Sequence, residues 1–226
     1  IQTAKQDALN GVTPSSAGNV ASSQIINYVY QNIVNGYQSA RDNKYSNAKN
    51  DLSNKDPYFQ QGVGIANDLD SRLTAFTNNA SADSNSVEAQ AYNDGINNQT
   101  THQPQAGSTN YLENSDLYAK IHDAAKQNAD KGSADFVAGN PRDTNNTTLS
   151  DKAQQQAYDS AKQGFDDQLS GHVDSTNQSP SYLKGQAAAQ AVQAAENNIQ
   201  NGNNGSNASD QASYNMAASG YQKAYQ

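Results

Sequence analysis

Residues 26–37 read INYVYQNIVNGY, and the spacing of their apolar side chains decides the fold class of this chain. Ile26, Tyr30, Ile33, Tyr37 and then Ala40 follow one another at intervals of four, three, four and three residues. This spacing places the side chains on one face of an α-helix, whereas a half-buried strand alternates at every second residue. The stretch therefore predicts an amphipathic helix.

Part of this stretch returns later in the chain. Tyr30, Gly36 and Tyr37 form a Tyr-x5-Gly-Tyr pattern. Its further copies are Tyr158, Gly164 and Phe165, then Tyr214, Gly220 and Tyr221, and a weaker set at Ala89, Gly95 and Ile96. A serine that can cap a helix precedes each copy, at Ser23, Ser150, Ser209 and Ser86.

A second helical pattern alternates with the first. Asp56-Pro57 leads to Phe59, Gly62, Ala66, Leu69, Leu73 and Phe76. The same order recurs 123 residues later, where Ser179-Pro180 leads to Tyr182, Gly185, Ala189, Val192 and Ile199. A looser copy contains Ser115, Tyr118, Ile121 and Ala125. Asp or Ser as N-cap followed by Pro at the first helical position is a strong helix-start signal.

The two patterns together define a repeat of roughly 60 residues with two helices. Gly36 and Gly95 are 59 residues apart, as are Gly62 and Ile121. We therefore predict an all-α array of antiparallel helical hairpins with six or seven helices, the alternative being a single compact helical bundle. The expected division is an irregular tail or linker at 1–20 and a repeat region at 21–226, with units at 21–80, 81–148, 149–207 and, in part, 208–226.

The recurring glycines need a reason, because glycine in a helix interior costs about 1 kcal/mol relative to alanine. We expect that they allow two helices to approach closely, with the neighbouring aromatic residue covering the gap. The predicted packing positions are Tyr30, Gly36, Tyr37, Phe59, Gly62, Gly95, Tyr158, Gly164, Phe165, Tyr182, Gly185, Gly220 and Tyr221.

Composition excludes several classes of partner. Leu, Ile, Val and Phe make up only 30 of 226 residues, so the core is thin and suits helices packed through alanine. The net charge of −8 argues against binding to nucleic acid or to anionic lipid, both of which require basic clusters. No apolar run reaches the roughly 18 residues of a membrane span. The absence of Cys fits a Gram-positive exterior.

The sequence contains no constellation typical of catalysis. It has no Cys nucleophile and no Gly-x-Ser-x-Gly elbow, and we interpret His102, His122 and His172 as bystanders. The oxygen-bearing groups at Asp83, Asn85 and Glu88, and the adjacent Asp166 and Asp167, are better explained by capping and solvation than by metal binding. We therefore expect no enzyme activity, no metal and no cofactor.

Tyrosines are the best candidates for ligand contact. Tyr and Asn or Gln together are typical of sugar-binding surfaces, and Tyr is also favoured at protein interfaces. Tyrosines on the helical stripes are more often core residues. Tyr28, Tyr45, Tyr92 and Tyr111 fit the stripes less well, so we predict that these four make exposed contacts.

The chain resembles the large wall-associated surface proteins and adhesins of lactobacilli and their relatives. The resemblance is one of style, carried by richness in Asn, Gln, Ala, Ser, Thr and Tyr and by phrases such as the AYNDG of residues 91–95. It implies an extracellular, cell-wall-associated module for adhesion, aggregation, biofilm formation or spacing, with host or bacterial surface glycans or glycoproteins as partners.

An alternative is an accessory carbohydrate-binding region of a secreted polysaccharide-processing enzyme. Both interpretations treat Ile1 and Gln226 as positions within a longer protein.

Overall fold

A computed structural model describes residues 1–14, 20–79, 85–145 and 147–200, and every regular element in these ranges is an α-helix. The predicted all-α class is confirmed. Gly220, Tyr221 and the remainder of the last repeat copy lie outside the described residues. The helices are α1 (Gln2–Leu9), α2 (Val20–Tyr45), α3 (Pro57–Asn79), α4 (Val87–Asn97), α5 (Tyr111–Val137), α6 (Leu149–Ser170) and α7 (Pro180–Gln200).

Three of the predicted helix starts are capped as the sequence indicates. At α7, which begins at Pro180, the Ser179 hydroxyl accepts a hydrogen bond from the backbone N–H of Tyr182 at 3.4 Å. The Asp56 carboxylate accepts hydrogen bonds from the backbone N–H groups of Tyr58 at 2.8 Å and Phe59 at 3.1 Å, and α3 begins at Pro57. The Ser86 hydroxyl accepts from the backbone N–H of Ala89 at 3.2 Å, just before α4. These bonds satisfy backbone donors that the first turn of a helix leaves unpaired.

Two other predicted caps are displaced. Ser23 lies inside α2, which begins at Val20. The N-cap of α6 is Thr148 rather than Ser150, because Thr148 and Asp151 form a reciprocal capping box. Asp151 lies three residues after Thr148 and can reach back to its backbone N–H, whereas a cap at Ser150 would have Ala153 in that place.

The expectation of an irregular segment at residues 1–20 is wrong for Gln2–Leu9, which form α1. Ala4 and Ala8 are fully buried and pack with Val29 and Ile33 of α2. Two alanines four residues apart make a face too narrow to recognise in a sequence. A helix this short depends on packing against a partner for its stability.

The chain divides into two units by the density of its internal contacts. Unit 1 comprises Ile1–Phe76, Ser81–Ala91 and His102–Ile121, and unit 2 comprises Thr77–Ala80, Tyr92–Thr101 and His122–Gln226. In unit 1, one core cluster joins α1 and α2, with Tyr30 and Tyr58 packed against it. In unit 2, a cluster dominated by alanine joins α4, α5 and α6, and its members are Ile96, Ala125, Ala129, Ala153 and Ala157.

In unit 1, α2 and α3 approach each other at two glycines. A Cβ on Gly36 would lie 2.0 Å from the carbonyl oxygen of Phe59, and a Cβ on Gly62 would lie 2.0 Å from that of Ile33. Carbon and oxygen atoms cannot approach this closely, so neither position has room for a side chain. The predicted role of these glycines in close helix contact is confirmed.

In unit 2, α6 and α7 repeat this contact. A Cβ on Gly164 would lie 2.1 Å from the carbonyl oxygen of Tyr182, and one on Gly185 would lie 1.8 Å from that of Ala161. Gly164 matches Gly36 in the Tyr-x5-Gly pattern, and Gly185 matches Gly62 in the second pattern. The two helix pairs therefore use matching backbone positions.

The contact between α4 and α5 differs from the predicted alignment. A Cβ on Gly95 would lie 2.4 Å from the carbonyl oxygen of His122 and 2.9 Å from the Cβ of Ala125. The sequence comparison matched Ile121 to Gly62, but the small residue at this contact is Ala125, about one helical turn later.

A fourth close approach, between α5 and α6, was not predicted. A Cβ on Gly132 would lie 1.9 Å from the carbonyl oxygen of Gln154. Gly132 belongs to neither repeat pattern, so its role could not be inferred from sequence spacing. α6 thus approaches α5 near its beginning and α7 at Ala161 and Gly164.

The aromatic residues of the repeat that lie in the described ranges take part in the packing of their units. Tyr37, Phe59 and Tyr182 are buried, and Tyr30, Tyr158 and Phe165 are partly buried. In unit 2, Phe136 meets Tyr158 and Phe165 edge to face, with ring centroids 5.4 Å and 5.6 Å apart. Within the described ranges, no helix has both the length and the apolar character needed to cross a membrane.

Candidate ligand-contact site

Tyr28 is the predicted contact residue with the most exposed side chain. It lies on α2 and is 53% exposed, whereas Tyr45, Tyr92 and Tyr111 are partly buried. Tyr28 has no place on the buried stripe of α2, because Ile26, Val29 and Ile33 occupy the inner face. Of the four predicted contact residues, Tyr28 is therefore the one whose side chain the fold leaves exposed.

The hydroxyl of Tyr28 donates a hydrogen bond to the carboxylate of Asp56. Asp56 is itself fixed, because its other carboxylate oxygen caps α3. The ring of Tyr58 meets the ring of Tyr28 edge to face, with centroids 6.3 Å apart and planes at 85°. The exposed ring is thus held at its hydroxyl and by its contact with the Tyr58 ring.

A cation and an aliphatic side chain complete this surface. The ammonium of Lys5 on α1 lies 5.2 Å from the centroid of the Tyr58 ring, within the range of a cation–π contact. Ile25 is 52% exposed and precedes Tyr28 by three residues on the same helix. We call Lys5, Ile25, Tyr28, Asp56 and Tyr58 the Tyr28 patch.

The hydrogen bond between Tyr28 and Asp56 sets the protonation state of both groups. Hydrogen bonding to the Asp56 carboxylate raises the pKa of Tyr28, and the same bond lowers the pKa of Asp56. The phenol therefore stays a donor and the carboxylate stays charged throughout the neutral range. The patch carries one formal positive and one formal negative charge, on Lys5 and Asp56.

Tyr45 has a structural environment. Its ring lies under the ammonium of Lys120 at 3.5 Å, and its hydroxyl donates to Asp70 at 3.1 Å. Burial, and then the bond to Asp70, raise the pKa of Tyr45 to about 12. The ring face and the hydroxyl of Tyr45 are therefore both occupied by groups of this protein.

Tyr92 and Tyr111 also pack within their units. Tyr92 lies against the alanine cluster of unit 2, and burial raises its pKa to about 12. The ring of Tyr111 occupies the space beside Gly11, where a Cβ would lie 2.2 Å from the ring. Gly11 also has a positive φ of 65°, a conformation that favours glycine. These two tyrosines fill space in the fold.

A second surface, which the sequence analysis missed, is a polar groove along α6. The guanidinium of Arg142 donates to both carboxylate oxygens of Asp159, at 2.7 Å and 2.6 Å. Gln155 is 7% exposed and donates to the carbonyl of Asn145. The spacing of the α6 residues could have indicated that they share one face of the helix. Their contacts with the loop residues Arg142 and Asn145, however, depend on the tertiary structure. The groove is lined by Arg142, Lys152, Gln155, Gln156, Asp159, Ser160 and Gln163.

His122 makes two contacts through its ring nitrogens. Nδ1 lies 3.0 Å from the Asp123 carboxylate and Nε2 lies 2.9 Å from the carbonyl oxygen of Gln99. The contact with Gln99 links the loop after α4 to α5, whereas Asp123 is the next residue of α5 itself. Within the described ranges, no three His, Asp or Glu side chains are grouped so that they could hold a metal ion.

Among the residues that the structure describes, the Tyr28 patch and the α6 groove each combine accessible side chains with polar groups held by hydrogen bonds or an ion pair. The patch offers a fixed aromatic ring beside an ion of each sign, and the groove offers amides and an ion pair. Comparisons of this chain with protein-family models, with curated proteins and with solved structures found no match.

Proposed function

We propose that this chain is a non-catalytic extracellular module for adhesion, aggregation or spacing on a Gram-positive bacterial cell, built as an array of antiparallel helical hairpins. The observation that carries the proposal is the recurrence of one backbone contact. Gly36 against Phe59 and Gly164 against Tyr182 occupy matching positions in two helix pairs. Such repetition is typical of proteins that extend by adding units, each packed mainly on its neighbours.

The character of the surface supports an extracellular role. Only 16% of residues are charged, and the mean hydropathy is −0.94, so amides and hydroxyls provide most of the solvation. The chain has no Cys and a single Met, which leaves little for oxidants to attack. A module displayed outside a cell benefits from both properties.

A second candidate function is an accessory carbohydrate-binding region of a secreted polysaccharide-processing enzyme. The observation that favours it is the exposed and fixed ring of Tyr28. The two functions share one scaffold and differ in whether the Tyr28 patch binds a ligand.

Small-angle scattering on the purified chain tests the spacer proposal. An array of hairpins gives an extended particle, whereas a single bundle of 226 residues has a radius of gyration of about 17 Å. A value near that of the bundle would contradict the array. Hydrolysis of polysaccharide or peptidoglycan by the same sample would overturn the non-catalytic assignment.

A further inference from the structure

We propose that the Tyr28 patch is a binding site for an uncharged pyranose residue of a surface or secreted polysaccharide. The proposal rests on the adhesive function proposed above and specifies its ligand. It begins with the ring of Tyr28, which is 53% exposed although its hydroxyl is hydrogen-bonded to Asp56. A ring fixed in this way loses little conformational freedom when a ligand covers it.

The chemistry around the ring matches that of a sugar. A pyranose presents C–H groups on its faces and hydroxyls around its rim, and it therefore needs an apolar plane bordered by donors and acceptors. The Tyr28 ring supplies the apolar plane, and the exposed Ile25 lies three residues before it on the same helix. Lys5 supplies donors, and Asp56 supplies an acceptor at the edge of the ring.

Charge selects an uncharged ligand. Lys5 and Asp56 cancel each other within the patch, and the chain as a whole carries a net charge of −8. A sulfated or carboxylated glycan would meet the Asp56 carboxylate and a negative protein, with only Lys5 to compensate. An uncharged sugar meets no such repulsion.

The matching surface of the second helix pair provides an internal comparison. Gln156 stands in α6 where Tyr28 stands in α2, since both precede their repeat glycine by eight residues. Gln156 is exposed and offers an amide but no ring. A binding site that depends on the aromatic plane should respond to a change at Tyr28 and not to one at Gln156.

Affinity electrophoresis tests the site on the full chain. Native gels would contain a mixed-linkage β-glucan, a galactomannan or dextran as uncharged probes, with polygalacturonate as the charged probe. We expect at least one uncharged polysaccharide to retard the protein, and Tyr28→Ala to weaken that affinity by about tenfold. Gln156→Ala tests the alternative, because Gln156 also lines the α6 groove: loss of retardation in this variant would place binding in that groove and would overturn the proposal. Leu169→Ala, at an α6 side chain that is 41% exposed and is not among the groove-lining residues, is the control and should migrate like the unaltered protein.

Two aromatic variants separate binding from folding. Tyr28→Phe and Tyr28→Trp lose the hydroxyl bond to Asp56 but keep the ring, so they should bind within about threefold of the unaltered protein. Circular dichroism establishes that each variant is folded. A merely structural role for the hydroxyl would make both variants behave like Tyr28→Ala.

Several results would overturn the proposal. These are no retardation by any uncharged polysaccharide, equal retardation of Tyr28→Ala, or retardation by polygalacturonate alone. Retardation by an unglycosylated protein such as serum albumin, lost in Tyr28→Ala, would identify the patch as a protein contact instead. Scattering is independent of all these outcomes, so the site can fail while the spacer proposal stands.

Discussion

The helix pairs α2–α3 and α6–α7 bring their backbones together in the same way but present different side chains to solvent. Gly36 and Gly164 each leave no room for a Cβ against the carbonyl of an aromatic residue in the next helix. On the outer face, however, the first pair carries Tyr28 and the second carries Gln156. The contact that joins the helices is therefore independent of the surface that they display.

The two pairs also differ in the contacts made by the aromatic residue that follows the repeat glycine. The hydroxyl of Tyr37 donates to Asp116 at 2.6 Å, and Arg41 donates to the same carboxylate at 3.1 Å. Phe165 stands in the matching position of α6 and packs against Phe136. One pair thus uses a polar network where the other uses aromatic contact, which indicates that a repeat position fixes size more strictly than polarity.

The largest expected effect comes from adding one methyl group at the shared contact. Gly36→Ala and Gly164→Ala should each lower the free energy of unfolding by about 3 kcal/mol, because the new Cβ would overlap a carbonyl oxygen. Urea unfolding followed by circular dichroism measures the change. Destabilisation at only one of the two positions would break the equivalence of the helix pairs.

Gly64 provides the matched control, since it lies in α3 two residues from Gly62 and has open space where a Cβ would be. Gly64→Ala should stabilise the protein by about 1 kcal/mol through helix propensity alone. A loss of stability at Gly64 would mean that glycine acts through some property other than close approach.

A smaller effect should appear in the polar network of the first pair. Asp116→Ala removes the acceptor of the buried Tyr37 hydroxyl and one partner of Arg41, and should cost about 2 kcal/mol. Thermal or urea unfolding measures it. The control is Asp166→Ala, which breaks only an exposed pair with Lys162 and should change stability by less than about 0.5 kcal/mol. Equal losses of stability in Asp116→Ala and Asp166→Ala would contradict the distinction between the partly buried network and an exposed ion pair.

At alkaline pH, the protein should lose stability as Tyr45 ionises. The pKa of Tyr45 is raised to about 12, mainly by burial, whereas an unfolded tyrosine ionises near pH 10. The folded state therefore holds this proton more tightly, so its contribution is complete below about pH 10 and is lost towards about pH 12. Stability measured across this range should fall less steeply in Tyr45→Phe. An unchanged slope would contradict the role of Tyr45.

The smallest effect on stability should come from moving the aromatic feature between the pairs. Gln156→Tyr combined with Ser179→Asp places the two residues of the Tyr28–Asp56 bond at their matching positions in α6 and before α7. Both positions lie near the surface, so stability should change by less than about 0.5 kcal/mol. Affinity electrophoresis should then show retardation that survives Tyr28→Ala. If it does not, Lys5 and Tyr58 are also required.

The sequence predicts those features of the fold that have a distinct residue pattern. The buried stripe through Ile33 and Tyr37, the cap at Asp56 and the close approach at Gly36 and Gly62 all follow from spacing and residue type. Each is recognisable because its residue type is costly or unusual elsewhere in a helix.

The remaining features depend on packing that alanine does not reveal. Ala4 and Ala8 bury α1, and Ala125 replaces the expected Ile121 at the contact with Gly95. In a chain so rich in alanine, many alternative faces look equivalent. At the candidate site, the departure of Tyr28 from the buried stripe can be recognised in the sequence. Its hydrogen bond to Asp56 can be seen only in the tertiary structure.

The close glycine contacts have a calorimetric consequence. Helices that meet through glycine and alanine bury less apolar surface than helices that meet through leucine, and the heat-capacity change of unfolding depends on that surface. A typical chain of 226 residues has a value of about 3 kcal/mol/K. We expect a smaller value here, and hence a free energy of unfolding that varies little with temperature on either side of its maximum.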